Sequence, residues 1–136
     1  MAESIQLEIV TPTGAVVSES VDIVTAPGGG GEFGVLANHA AFLSTVKIGT
    51  LSYKQGGSTV SMMISGGFCE VSNNKITFLA EAAEKGTEID VDRAMKAKER
   101  AEKRLLEAKT QKEKIDMVRA EAAMQRALAR IKASKA

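Results

Sequence analysis

P-G-G-G-G-E-F-G, Pro27 to Gly34, decides which fold this chain can have. Gly29, Gly31 and Gly34 stand on a G-x-G-x-x-G spacing. That spacing marks a loop that wraps a dinucleotide pyrophosphate between a strand and a helix. A true fingerprint would make this an α/β nucleotide-binding domain, and the surroundings exclude one. The following V-L-A-N-H-A-A-F, residues 35–42, offers one apolar pair and a turn, with no helix cap. The acid that should hold a ribose about 20 residues on is missing, because no Asp or Glu lies between Glu32 and Glu70. Glu32, inside the loop, would repel a pyrophosphate, and the absence of G-K-[ST] excludes a P-loop. The glycines therefore read as an exposed connection between strands, available to a partner.

Around that loop the chain reads as β up to about residue 84. Ile5, Leu7 and Ile9 alternate with Gln6 and Glu8, the period of a half-buried strand. Thr11-Pro-Thr-Gly14 is a turn signal, and Val16-Val17 and Val21 to Thr25 make the next strands. Leu51–Gln55 and Thr59–Ile64 flank Gly56-Gly57 as a hairpin. Gly66-Gly67 reads as a second break, and Phe68–Val71 and Lys75–Leu79 flank the turn Ser72-Asn73-Asn74. Short strands with turns this frequent predict an antiparallel sandwich or barrel. Aromatics are only 4% of the chain and Trp is absent, so its core must be aliphatic. Cys69, the single cysteine, reads as a small buried hydrophobe and allows no internal disulfide, which fits a reducing compartment.

After Gly86 both Gly and Pro disappear, and Ala, Glu, Lys and Arg take over. I-D-V-D-R-A at 89–94 is echoed by I-D-M-V-R-A at 115–120, so Asp90 and Asp116 are expected to cap two helices. Polar Lys109 to Lys114 reads as the turn between them. Ala94, Ala97, Ala101, Leu105 and Ala108 form one helical stripe; Ala120, Ala123, Ala127 and Ile131, beside Met124 and Leu128, form another. An alanine seam buries little area, at about 25 cal/mol per Å², so the pair is expected to hold weakly, either as a small packed appendage or as a detachable arm that can open and extend. The predicted architecture is α+β: an N-terminal antiparallel β-sandwich, residues 1–84, followed by a C-terminal antiparallel α-helical hairpin, residues 85–136. Charge divides likewise, with three Lys against eight acids in 1–84 (net −5) and fifteen basic against nine acidic residues in 85–136 (net +6).

Other chemistry is thin. His39 is the only histidine, so a multi-His metal site is impossible and no metal is expected. A Cys69–His39 nucleophile pair is disfavoured by the strand that carries Cys69. Glu99, Glu102, Glu107, Glu113 and Glu121 interleave with the basic helical residues, the pattern of a solvated, ion-paired face. Without aromatics to stack bases, nucleic acid is not an expected partner. No apolar run approaches the roughly 18 residues of a membrane span, and M-A-E-S-I-Q-L-E-I-V lacks a basic leader, so no signal or transit peptide is expected. Membrane association would come through other subunits.

Several stretches together carry a family resemblance. V-T-P-T-G near the start, G-E-F-G-V-L-A-N-H-A at 31–40, S-G-G-F-C-E-V-S-N-N at 65–74, I-T-F-L-A-E-A-A-E at 76–84 and I-D-V-D-R-A-x-x-A-K-E-R-A-E-x-R-L at 89–105 resemble the epsilon subunits of bacterial F-type ATP synthases. Mitochondrial members of the family are called delta. The resemblance covers nearly the whole chain, in order. It implies a non-catalytic rotor subunit of the central stalk, bound to the gamma subunit and the c-ring at the cytoplasmic face of the bacterial inner membrane. Glu32, Phe33, Asn38 and His39 would face the polar loops of the c-ring; the bland alternative for His39 is a hydrogen-bonded turn histidine. The helices would fold against the sandwich or extend along gamma and obstruct hydrolysis. Arg100, Lys103, Arg104, Arg119 and Arg126 would approach the catalytic beta subunits of the alpha/beta head; for any one of them the alternative is solubility. No cofactor is required. ATP would serve as a regulatory ligand, held by Glu84, Ile89, Asp90, Arg93 and Ala94 with Arg126 and Arg130 of the second helix. Capping and ion pairing explain the same Asp and Arg without a ligand. A free-standing ATP-sensing module of the same fold is the competing reading.

Overall fold

The computed structural model describes residues 3–111 and 114–135. Eight strands come first: β1 (Ile5–Thr11), β2 (Gly14–Val21), β3 (Ile23–Gly28), β4 (Gly31–Leu36), β5 (Phe42–Val46), β6 (Gly49–Gln55), β7 (Ser58–Ser72) and β8 (Lys75–Lys85). A 3-10 turn at Gly86–Glu88 leads to α1 (Val91–Gln111) and α2 (Lys114–Lys135). The strands form one hydrogen-bonded set, ordered β2-β1-β8-β7-β5-β3-β4 with β6 bridging β3 and β7. It folds over on itself as a β-sandwich. Every pairing is antiparallel except β1 with β8, which run parallel from Gln6↔Lys75 to Val10↔Leu79.

Alternation sends Ile5, Leu7 and Ile9 of β1 and Ile76, Phe78 and Ala80 of β8 into one core, with Val24, Val35, Leu51, Met62, Cys69 and Val71. Cys69 is buried, as its strand position predicts.

Two glycine segments differ from the sequence expectation. The opening loop is a tight hairpin: Gly28 pairs with Gly31 and only Gly29-Gly30 turn the corner. The Gly29 amide donates to the Thr45 carbonyl at 3.0 Å, and a Cβ there would strike the Thr45 hydroxyl. Residues 31–36, expected as loop, are strand β4. Gly66-Gly67 does not break the chain either. β7 runs through it, pairing β6 along Ser58–Ile64 and β5 along Gly67–Val71 on the same side. Gly66 (φ 46°) and Gly67 (φ 136°) lie where side chains are disfavoured, and a Cβ on Gly67 would run into the Leu79 backbone carbonyl. The glycines thus bend β7 around a corner of the sandwich, as strands do on passing from one layer to another.

Beyond the corner β7 is covered on both sides. Met62 and Ile64 face the sandwich core. Met63, one residue out of phase, joins Ile89, Ala94, Ala129 and Ala133 in a second, smaller core beneath the helices. Coverage of both faces explains the unbroken buried run Met62–Ser65. α2 lies on β6 and β7, and α1 packs chiefly on α2. On α1, Ala94, Ala101 and Ala108 are buried at seven-residue intervals while Ala97 and Leu105 are half-buried. On α2, Ala120 and Ala127 are buried, and Ala129 and Ala133, outside the expected stripe, face the sandwich. Of the expected turn Lys109–Lys114, residues 109–111 belong to α1 and Lys114 opens α2, while Lys112 and Glu113 lie outside the described residues. Since α2 begins at Lys114, Asp116 falls inside its first turn and is not its N-cap.

Candidate functional site

Asp90 does cap α1. Its Oδ1 accepts the Arg93 amide at 3.1 Å, and its carbonyl accepts the Ala94 amide at 3.0 Å. The cap sets the start of α1 over the end of β8, and the space between them is a cavity of about 440 Å³. Glu84 of β8, Glu88 of the 3-10 turn, Ile89, Asp90, Arg93, Ala94, Ala97, Arg100 and Arg130 line it. Residues separated by up to 46 positions meet there because α2 returns antiparallel to α1. The strongest polar contact is bidentate. Arg130 Nη2 and Nε donate to Glu84 Oε1 at 3.1 and 3.2 Å, and Nε also reaches Oε2 at 3.4 Å.

Glu84, Ile89, Asp90, Arg93, Ala94 and Arg130 are thus brought together as expected from the sequence. Arg126 is not among the lining residues; it stands half-buried one turn earlier on α2. Arg100, which the family resemblance assigns to a catalytic beta subunit, also lines the cavity while the hairpin is docked, with Ala97 and Glu88. Ala97, three residues after Ala94, and Arg100, seven after Arg93, were signalled by helical spacing; Glu88 precedes the helix and carried no such signal. Three guanidinium groups face three carboxylates, so the cavity is close to neutral. An anion entering it must share or displace the carboxylate that holds Arg130. The size suits part of a nucleotide, since ligand cavities run from about 300 to 1,000 Å³. Ala94 and Ala97 give one wall an apolar surface against which a flat ring could lie.

The second group of expected residues sits at one end of the sandwich. Glu32 is exposed on β4 and Phe33, its neighbour, turns to the other face. Phe33 and Phe42 meet at 5.3 Å between ring centroids, and His39 stands edge-on to Phe42 at 5.9 Å. His39 Nδ1 is 2.7 Å from the Ala40 carbonyl, so it carries the proton and donates. Asn38 turns the loop with φ 63°. Lys103, Arg104 and Arg119 are exposed on the helices. Among the described residues no group of three or more His, Cys, Asp or Glu converges as a metal would need.

An apolar face was not foreseen. Leu43 of β5 (72% exposed), Phe68 of β7 (57%) and Leu79 of β8 (57%) project from the outside of the sandwich. The pairings Thr45↔Phe68 and Phe68↔Leu79 put them on one surface. Alternation predicts polar residues there, so exposed apolar side chains grouped this way mark an interaction surface.

A β-sandwich joined to a docked helical hairpin, with a charged cavity at the joint, defines a two-module class of binding subunit. Its two modules match two family models in order: the beta-sandwich domain of the ATP synthase delta/epsilon chain over residues 4–86, and its long alpha-helix domain over residues 87–135. The chain belongs to this family of non-catalytic ATP synthase subunits. It is 58% identical over 132 residues to the ATP synthase epsilon chain of Nitratidesulfovibrio vulgaris strain DP4, covering 97% of this chain and 96% of that one. To the epsilon chain of Desulfitobacterium hafniense strain Y51 it is 50% identical over 135 residues, 99% of each. Among solved structures it resembles a chain of the Euglena gracilis mitochondrial ATP synthase OSCP/F1/c-ring assembly, with TM-score 0.80 and 25% identity over 93% of this chain and 78% of that one. A chain of the Tetrahymena thermophila central stalk and c-ring shares the fold, with TM-score 0.63 and 14% identity, over 97% of each. Among the described residues no helix is long and apolar enough to cross a membrane.

Proposed function

We propose that this chain is a central-stalk rotor subunit of a proton-translocating F-type ATP synthase. It couples ion flow through the c-ring to ATP synthesis and restrains ATP hydrolysis through its helices. It is held peripherally at the cytoplasmic face of the bacterial inner membrane by its neighbours. The sandwich binds gamma, with Leu43, Phe68 and Leu79 as the apolar contact, and turns Glu32, Phe33, Asn38 and His39 towards the polar loops of the c-ring. Released from the sandwich, the helices carry Arg100, Lys103, Arg104, Arg119 and Arg126 to the acidic surface of the catalytic beta subunits.

ATP is the proposed regulatory ligand of the cavity between β8 and the helices. Arg93, Arg100 and Arg130 offer guanidinium groups for phosphate oxygens, and Glu88, Asp90 and Ile89 lie where a base edge could be read. The observation that carries this reading is that one wall comes from β8 and the facing Arg130 from α2. The cavity therefore exists only while the hairpin is docked. A ligand that binds only the docked form must favour it, so ATP would hold the brake off.

The test is ATP hydrolysis by a catalytic head stripped of this subunit, after adding back the full chain or a version ending at Glu88. Inhibition by the full chain alone is expected. Equal behaviour of both chains would remove the brake from the helices. The same cavity suits the free-standing sensor reading, and co-purification separates the two: a rotor subunit travels with gamma.

A further inference from the structure

The turn between β7 and β8 is a two-residue loop, Asn73-Asn74, closed by the pair Ser72↔Lys75. Both asparagines have positive φ, 52° and 57°, as a type I′ turn requires. The second position of such a turn favours Gly, which meets no steric penalty there. Asn at 74 costs turn propensity, and its contacts show what it does instead. Its Oδ1 accepts the backbone amide of Asn38 at 2.8 Å. Its Nδ2 donates to the Ser4 carbonyl at 2.9 Å. Its own carbonyl accepts the Gln6 amide at 3.2 Å. One residue thereby ties the start of β1 and the β4–β5 loop to the hairpin. Asn38 closes the circuit: its Nδ2 donates to Glu3 Oε2 at 3.1 Å.

We propose that Asn74 is the positioning residue of the Asn38–His39 loop. It fixes the left-handed residue Asn38 and so sets where His39 and the adjoining Phe33–Phe42 cluster are presented. For its consequence in assembly this rests on the reading that this end of the sandwich faces the c-ring; the local geometry does not depend on that reading. No other side chain bonds the Asn38 amide among the described residues; residues 37–41 form no strand or helix, and the backbone of the loop contributes one turn bond, from the His39 amide to the Leu36 carbonyl at 3.2 Å.

Two full-length variants test the assignment. Asn74→Gly preserves or improves the turn and deletes both side-chain bonds. Asn74→Asp keeps the acceptor for the Asn38 amide and loses the donor to Ser4. In the free chain, Asn74→Gly should accelerate exchange of the Asn38 amide about tenfold, the equivalent of one lost hydrogen bond of about 1.4 kcal/mol. The amides of Ser72 and Lys75 should change much less, and the thermal midpoint should fall by no more than a few degrees, since glycine improves the turn as the side-chain bonds are lost. Asn74→Asp should leave the Asn38 amide protected. An unchanged Asn38 amide in Asn74→Gly would overturn the proposal. So would equal acceleration across β7 and β8, the signature of a merely structural turn residue. The second measurement is binding of each chain to c-ring-containing membranes stripped of this subunit, where Asn74→Gly should bind several-fold more weakly. If its loop loosens but its binding is unaltered, the positioning role stands and the c-ring reading falls.

Discussion

Arg130 of α2 holds Glu84 of β8 through two nitrogens, with Nη2 and Nε both within 3.2 Å of the same carboxylate oxygen. Lys75–Glu8 lies within the sandwich and Lys98–Glu102 within α1. Arg130–Glu84, by contrast, spans the two modules. The pair is partly exposed, so its contribution to docking is modest, about 1 kcal/mol. Arg130→Gln should therefore speed exchange of the α2 amides from Ala127 to Ala133 about fivefold and leave those of β1 untouched. Unaltered α2 exchange would show that apolar contact alone seats the hairpin.

The same geometry separates two arginines that look equivalent in sequence. Arg130 lines the cavity and Arg126 does not. Calorimetry with ATP should show binding lost in Arg130→Ala and Arg93→Ala and retained within about threefold in Arg126→Ala, the change expected of a group that makes no direct phosphate bond. Equal loss at Arg126 would mean that α2 rotates when ligand binds.

The exposed trio on the outer face should matter to assembly and not to folding. Phe68→Ser with Leu79→Ser removes two side chains that are more than half exposed already. Unfolding of the free chain should change by less than about 1 kcal/mol. Affinity for isolated gamma should fall at least tenfold if these rings and branches are anchors. Retained affinity would move the gamma contact elsewhere.

Alkali offers a test of the core. Burial, reinforced by the charge and hydrogen bond of Glu19, pushes the Tyr53 hydroxyl up to about 12 from 10.0. Burial alone pushes the Cys69 thiol up to about 12 from 9.0. Both groups are raised in the folded state, so the unfolded chain releases these protons first. Their stabilising effect is complete below about pH 9 and is lost as pH rises from there through 12. In urea titrations Cys69→Ala should be less stable at neutral pH, because it opens a small cavity. Its alkaline decline should begin nearer pH 10. Declines that stay parallel between pH 9 and 10 would exclude Cys69 as a contributor.

Seam packing can be tested by overfilling it. Ala101 is 2% exposed on α1, whose main neighbour is α2. Ala101→Leu should cost the hairpin about 1–3 kcal/mol and release the helices with the sandwich intact, as hydrogen exchange would report. A more protected hairpin would mean that the alanine seam contains unfilled space.

Much of this fold was legible because alternation in Ile5-Leu7-Ile9 and the loss of Gly and Pro after Gly86 are local signals. β4 was not, since Gly31 and Gly34 conceal a strand whose partner, β3, supplies its order. Gly66-Gly67 misled for the opposite reason: two glycines that end most strands here bend one that continues. The parallel β1–β8 pairing joins residues about 70 apart and leaves no mark in either segment. In the cavity, the I-D-x-x-R-A stretch was readable as a unit. Arg100 was assigned to a catalytic beta subunit by resemblance, and only the return of α2 shows that in the docked form it also lines the cavity.

The layering of sandwich, α2 and α1 has a mechanical consequence. Because α1 rests on α2 and is joined to the sandwich through residues 86–90, the inner helix cannot leave without carrying the outer one or losing it. With 21 and 22 residues at 1.5 Å each, the two helices laid end to end would measure about 65 Å. An alanine-rich seam, a small apolar core around Met63 and Ile89 and the Arg130–Glu84 pair therefore hold down a lever of that length.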